Sequence, residues 1–514
     1  MSVVDPPPPK ARPPATDPGG QSGRARGRSW SASLAGHART PLFLSAVLCV
    51  VLAALSAAVL PTVPSYDPWS WIVWGREVTD PHLSFLVSGG PSWKPLPFIF
   101  TTIWGLFGGA APTLWVITAR AGGLLGLVFA WRLASRLLGG GWAGAAAGGL
   151  AVVGVVLTQD WLYYWLRGTS EVVLIACSLG AVDRLLDGHR AQAFVLGVAA
   201  SLIRPEWWPF IILYAAWLWL RDPEWRTLRM RGFLLAGLLV IPFLWFVPPW
   251  IGSGQPFLAA THAAKYNGHL GAHRLRAVIG RGIDLQILPA LIAAVVAVAL
   301  GWWRQRDRLL VAMAAAIIAW WVVVIGMTLD GYPGLERFFL PAAALTCVLG
   351  AVGIMRLALL AGGVLERHRL IVAAVTAVVL VGVSIPFTTK RFAETRAAGP
   401  AASTAVRTLA HLDVTVAAAG GHRGVFPCKT SFAAVNHGVQ TALAWKLHVT
   451  LERVGTSMHA PGLDFIGPHN GTDGEAAPVD PRLTQHQTLV SVDGWRVVRL
   501  TDPNHPDLRA CVGR

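Results

Sequence analysis

Pro41 to Leu60 reads PLFLSAVLCVVLAALSAAVL. It has no charged side chain, and as a helix it can cross a hydrocarbon core roughly 30 Å thick. The stretch that follows, Tyr66 to Phe98, is different in kind: YDPWSWIVWGREVTDPHLSFLVSGGPSWKPLPF. It sets Asp67, Arg76, Glu77, Asp80 and Lys94 among Trp69, Trp71, Trp74 and Trp93. Acids, bases and indoles together at a membrane edge fit a polar head carried on a lipid.

Composition extends the first reading to the whole chain. Of 514 residues, 54% are hydrophobic and 14% charged, a balance that would leave a soluble fold exposing far too much apolar surface. Repeated apolar runs near twenty residues predict a polytopic membrane protein. Its 24 tryptophans suit the membrane–water interface. The net charge of +16 would point to nucleic acid in a soluble protein. Here the arginines sit in short turns between apolar runs, where the positive-inside bias accounts for them and nucleic acid is not implied.

Met1 to Thr40, rich in Pro, Gly, Ser and Arg, predicts a disordered basic cytoplasmic tail. Residues 41–387 predict the membrane domain, with a first external loop over 61–111. Leu96 to Phe107 is short for a span and reads as an interfacial helix. Counting onward, turns bearing Arg132 and Arg136, Arg184, Arg221 to Arg231, Arg304 to Arg308 and Arg367 to Arg369 fall inside. This gives about eleven transmembrane helices, a multi-pass plasma-membrane protein with N-terminus cytoplasmic and C-terminus outside. Ala191–Ile203 and Trp207–Leu220 form a short V-shaped pair, and Ile251–Arg281 an external loop carrying Lys265, His262, His269 and His273. Residues 388–514 are polar and predict a small extracytoplasmic α/β or β domain, with strands at Val414–Ala418, Thr488–Val492 and Trp495–Leu500. Cys428 and Cys511 fall there, where a disulfide can form, and Asn470-Gly471-Thr472 matches a glycosylation sequon.

Ionisable groups at the membrane are expensive unless they function or pair. Asp67 and Glu171 fall on the same predicted side, and two carboxylates in one cleft can deprotonate an acceptor hydroxyl and hold the acceptor or a cation. The competing reading pairs each acid with its nearest arginine, Asp67 with Arg76 and Glu171 with Arg167. Lys94, Arg120, Arg204, Lys265 and Arg337 are basic and on that same side, which suits a phosphate on a lipid carrier. Arg120 is singled out by its apolar surroundings. Glu206 is either a further site acid or the partner of Arg204. Arg76, Glu77, Trp93, Arg167, Arg204 and Glu206 complete the candidate substrate-binding set. The histidine spacing fits no strong metal pattern.

The order of these elements resembles the GT-C glycosyltransferases, especially the branch of the protein O-mannosyltransferases and the lipid A aminoarabinose transferase. Tyr66-Asp67-Pro68-Trp69 occupies the place of an acid just after the first helix. Lys94-Pro95-Leu96-Pro97 is similar to a Lys-Pro-Pro-Leu opening of an interfacial helix, with the second proline displaced. Ala119-Arg120 matches an Ala-Arg pair, Glu171 is the candidate for a second-loop acid, and Arg337-Phe338-Phe339-Leu340-Pro341 matches a late Arg-aromatic-x-Leu-Pro element. The resemblance covers roughly Pro41 to Ala358. It implies an inverting transfer of a sugar from a polyprenyl-phosphate donor to a cell-envelope glycan, lipid or protein on the outer face. Asp67 would be the general base, Lys94, Arg120 and Arg337 would hold the lipid phosphate, and Glu171 would place the acceptor or a cation. The resemblance implies no definite cofactor and leaves a divalent cation, magnesium or manganese, open. The chain departs from the family where Pro68 stands in place of a second acid. Its Ala, Gly, Arg and Trp content looks like that of a GC-rich actinobacterial genome. Two other readings stay open: a transporter or flippase of lipid-linked envelope precursors, for which no internal repeat is found, and a non-catalytic envelope assembly protein in which Asp67 and Glu171 share no cavity.

Overall fold

The computed structural model describes residues 41–87, 89–265, 273–364, 366–457, 461–468 and 485–501. It divides after Leu44, and from Ser45 onward the chain is one compact unit. The basic tail 1–40, His269, the Asn470 sequon and Cys511 lie outside the described residues. Cys428 is disulfide-bonded.

The first half contains α1 (Pro41–Val59), α2 (Tyr66–Thr79), α3 (Pro95–Gly105), α4 (Ala111–Leu137), α5 (Gly141–Val156), α6 (Trp161–Leu166) and α7 (Ser170–Leu186). Next come α8 (Arg190–Ser201), α9 (Trp208–Arg221), α10 (Leu228–Ser253), α11 (Leu258–Lys265), α12 (Arg274–Leu285) and α13 (Leu288–Leu300). The last helices are α14 (Arg308–Leu329), α15 (Leu340–Gly362), α16 (Arg369–Ser384), α17 (Thr389–Ala418), α18 (Gly421–Val425) and α19 (Gln440–Lys446).

Among the described residues, six helical segments are long and apolar enough to cross a membrane, or seven if α12 and α13, bent by 90°, make one broken span. The sequence count of about eleven also included α5, α7, α8 and α9. These have 16, 17, 12 and 14 residues, against 18 or more for the six longer segments. Leu48, Val51, Leu55 and Val59 on α1 and Ile371, Val375, Val378 and Val383 on α16 stay exposed, as lipid-facing side chains would.

α15 lies at the centre, with almost its whole length buried. A Cβ on Gly350 would come within 2.5 Å of the Ala290 carbonyl on α13, so the two backbones touch through small residues. α4 and α7 pack the same way, through Gly122, Gly123 and Gly126 against Val173, Val172 and Ala176. Glu171 heads α7 and Arg337 lies in the 3-10 turn Glu336–Phe339 that leads into α15. The two most tightly packed helices therefore carry site residues at their ends.

Two sequence expectations are corrected. Ile251–Arg281 is not simply a loop, since α11 and α12 occupy most of it. Val414–Ala418 is not a strand but the end of α17, which continues α16 in one helical path over Arg369–Ala418. Thr408, Leu412, Thr415 and Val416 bury one face of α17, and packing outweighs the local β-branched preference there. A 3-10 turn, Ile385–Thr388, joins α16 to α17. Beyond α17 lie β1 (Phe432–Val435), β2 (Val454–Gly455), β3 (Gly462–Ile466), β4 (Gln485–Val492) and β5 (Trp495–Thr501), in the sheet order β2-β1-β3-β5-β4. β1, β2 and β3 are mutually parallel, while β5 runs antiparallel to β3 and β4. Asp493 and Gly494, both at positive φ, close the β4–β5 hairpin as an Asp-Gly turn should.

Candidate active site

Asp67 sits in the first turn of α2, where the helix dipole favours a carboxylate. The second loop holds that turn in place. Arg167 donates to the carbonyls of Val63 and Pro64 at 3.1 and 3.2 Å, and the Ser65 amide donates to the Arg167 carbonyl at 3.0 Å. α3 crosses α2 at Gly75, and the Thr101 hydroxyl donates to the Trp71 carbonyl at 2.7 Å. Lys94 immediately precedes Pro95, the first residue of α3. The crossing therefore fixes Lys94 relative to Asp67.

Six of the candidate residues meet in one ion network. Arg337 Nη1 lies 3.0 Å from Asp67 Oδ2, and its Nε lies 3.9 Å from Glu171 Oε1. That same Glu171 oxygen is 2.8 Å from Arg204 Nη2 and 3.3 Å from Lys94 Nζ. Lys94 also donates to the Ser170 hydroxyl at 2.8 Å. Arg204 is 3.7 Å from Glu206 and lies over the Phe338 ring. Three carboxylates thus balance three cations. Neither acid pairs with its neighbour in sequence: Asp67 does not take Arg76, and Glu171 does not take Arg167. Glu206 lies beside Arg204, whose nearer partner is Glu171.

Exposure divides the network into two layers. The side chains of Glu171, Lys94, Arg204 and Glu206 are almost fully enclosed. Those of Asp67 and Arg337 retain 15% and 29% of their exposure, so one acid and one base open outward. Burial pushes the Lys94 ammonium down to about 8, with Glu171 pulling against that shift. Lys94 is therefore a cation held inside the network, within 5.2 Å of the Trp71 ring.

The other candidates are engaged elsewhere. Arg120 donates to the Ser56 hydroxyl at 3.1 Å and to the carbonyls of Pro61 and Leu166 at 2.6 and 2.9 Å, so it ties the ends of two segments together. It is fully buried among these partners. Arg76 donates to the carbonyls of Ala444, Trp445 and Val449, and Glu77 accepts from the Leu86 amide at 3.0 Å. The Trp93 indole donates to the Leu244 carbonyl at 3.0 Å. These three residues bind the first loop to its surroundings, not to an open cleft. Lys265 closes α11, and its side chain lies outside the described positions.

A divalent cation does not fit the acids as they stand. Glu171 is already met by three cations and Asp67 by one, and among the described residues no three His, Cys, Asp or Glu side chains gather as metal ligands.

Sequence reasoning passed over Tyr164 and His437. Tyr164 on α6 stands close enough to Arg337 and Glu171 for their charges to bear on its phenol. His437, in the tail, packs against Tyr66 at 4.1 Å between ring centroids, the two planes tilted by 34°, and feels the Asp67 charge. Nothing local marks either residue, because each is brought in by pairings hundreds of residues apart or by a turn between helices.

No family model matches the chain, and no curated protein matches it. Among solved structures, the chain is similar to ArnT from Cupriavidus metallidurans in its apo state, at 16% identity and a TM-score of 0.49, covering 88% of this chain and 97% of that one.

Proposed function

We propose that the protein is an integral-membrane glycosyltransferase that moves a sugar from a polyprenyl-phosphate donor to a cell-envelope acceptor, with inversion. The observation that carries this reading is the Arg337 bridge between Asp67 and Glu171, in which one carboxylate and one guanidinium stay partly open side by side. A transfer to a hydroxyl needs that pair. The acceptor oxygen bonds to the anomeric carbon as its proton passes to Asp67. The bond from that carbon to the phosphate oxygen breaks, and the phosphate leaves with the electron pair. Arg337 then faces the growing negative charge, and Lys94 adds positive potential from behind. Glu171 holds Lys94, Arg204 and Arg337 in place and is too enclosed to be the base.

The test is release of polyprenyl phosphate from a panel of polyprenyl-phosphate sugars by purified protein. Asp67→Asn keeps the shape of the side chain and removes the base, so transfer should fall at least a hundredfold, within the usual range for general-base catalysis. Transfer at the normal rate by that variant removes Asp67 from the chemistry. A transporter of lipid-linked precursors would release no polyprenyl phosphate at all.

A further inference from the structure

The C-terminal sheet and the proposed base are not independent. β1 lies between β2 and β3, both parallel to it, so the chain leaves β1 to one side and returns on the other. In sheets with that switch, ligands settle outside the carboxyl end of the central strand. At the carboxyl end of β1 stand Asn436 and His437, followed by the short helix α19. That end docks on the head of α2. The Tyr66 hydroxyl donates to Gln440 Oε1 at 2.9 Å, the Thr441 hydroxyl donates to the Tyr66 carbonyl at 2.9 Å, and the His437 ring packs at a tilt against the Tyr66 ring. The residue after Tyr66 is Asp67, whose charge bears on His437.

Asn436 supplies an independent observation. It is 1% exposed, and neither its amide nitrogen nor its amide oxygen has a hydrogen-bond partner among the described residues. It precedes a 3-10 turn without capping it. A buried amide left unpaired carries a standing penalty, which a polar ligand would relieve.

We propose that Asn436 and His437 form the acceptor subsite, and that the acceptor is a hydroxyl-rich carbohydrate. An amide offers a donor and an acceptor side by side, which suits neighbouring sugar hydroxyls, and the imidazole beside Asp67 can orient the hydroxyl that reacts. His437 is thus a positioning residue and Asp67 the group that takes the proton. The inference rests on the transfer reading for the role of the bound sugar, and its test does not depend on turnover.

The experiment is saturation-transfer NMR on the full chain in nanodiscs, with methyl glycosides and short oligosaccharides as probes and a serine-containing peptide beside them. At least one glycoside should bind, and its affinity should fall tenfold or more in His437→Ala and in Asn436→Ala. His437→Gln, which keeps a polar side chain at that position, should recover part of that loss. Melting temperatures within a few degrees of wild type would show that the fold is intact. The proposal is overturned if no glycoside binds the wild type, if only the peptide binds, or if both alanine variants bind the glycoside unchanged. Glycoside binding that depends on His437, in a protein that turns over no donor, would uphold the subsite and remove the transfer reading.

Discussion

Glu171 Oε1 receives Arg204, Lys94 and Arg337 within 3.9 Å, and its side chain is 1% exposed. Glu171→Gln would leave those cations around a neutral amide. Breaking a buried ion pair from one side costs about 3–5 kcal/mol, so this variant should melt well below wild type before activity is considered. Asp67→Asn removes one ion pair at a partly open site and should cost only about 1 kcal/mol. Thermal melts of the two variants separate a scaffold acid from a working acid, and equal melting temperatures would contradict the division. The sequence made Asp67, Lys94, Glu171, Arg204, Glu206 and Arg337 visible because charges beside apolar runs are costly wherever they occur. It could not tell Arg337 from Arg120. The carbonyls of Pro61 and Leu166 that hold Arg120 are backbone groups, and residue identity does not reveal which of them converge.

Between elements, the crossing of α2 and α3 sets the distance from the proposed base to Lys94. A Cβ at Gly75 would come within 2.5 Å of the Thr101 carbonyl group, which is backbone and cannot turn aside. Gly75→Ala should therefore push α3 outward, destabilise the protein by about 1–3 kcal/mol and lower activity with Asp67 and Lys94 unchanged. A wild-type melting temperature together with wild-type activity would show that the crossing tolerates the shift. Elements defined by run length, such as α1, α10 and α14, were legible in the sequence because apolarity alone specifies them. α17 was not, because its start is propagated from α16 and its end is held by the sheet. Its polar, β-branched residues give no sign of either. The parallel strands β1 and β3 were also missed, since four or five apolar residues fit a strand or a short helix equally well.

At the scale of the molecule, the tail is clamped to α2 through groups that respond to pH. Arg76 reaches three tail carbonyls and lies over the Trp445 ring, while Glu77, beside it, is 2% exposed. Burial pushes the Glu77 carboxyl up to about 8, and Asp464 on β3, with neither oxygen partnered among the described residues, up to about 7. Both carboxyls hold protons that the unfolded chain has already lost at neutral pH. Their contribution to stability is complete below about pH 4, the ordinary carboxyl range, and is lost as pH rises through 7 and 8. Lys94 has the opposite sign: its folded value near 8 lies below the ordinary 10.5, so the stability tied to it changes only above about pH 8. Between pH 5 and 8 the carboxyls therefore dominate, and the melting temperature should fall with rising pH, by a few kcal/mol of stability in all. Glu77→Gln together with Asp464→Asn should flatten that slope, because neither replacement titrates. Scanning fluorimetry of the two proteins across that range is decisive. A wild-type melting temperature that is level or rising from pH 5 to 8, or a slope that survives in the double variant, would mean that these carboxyls do not hold their protons in the folded state.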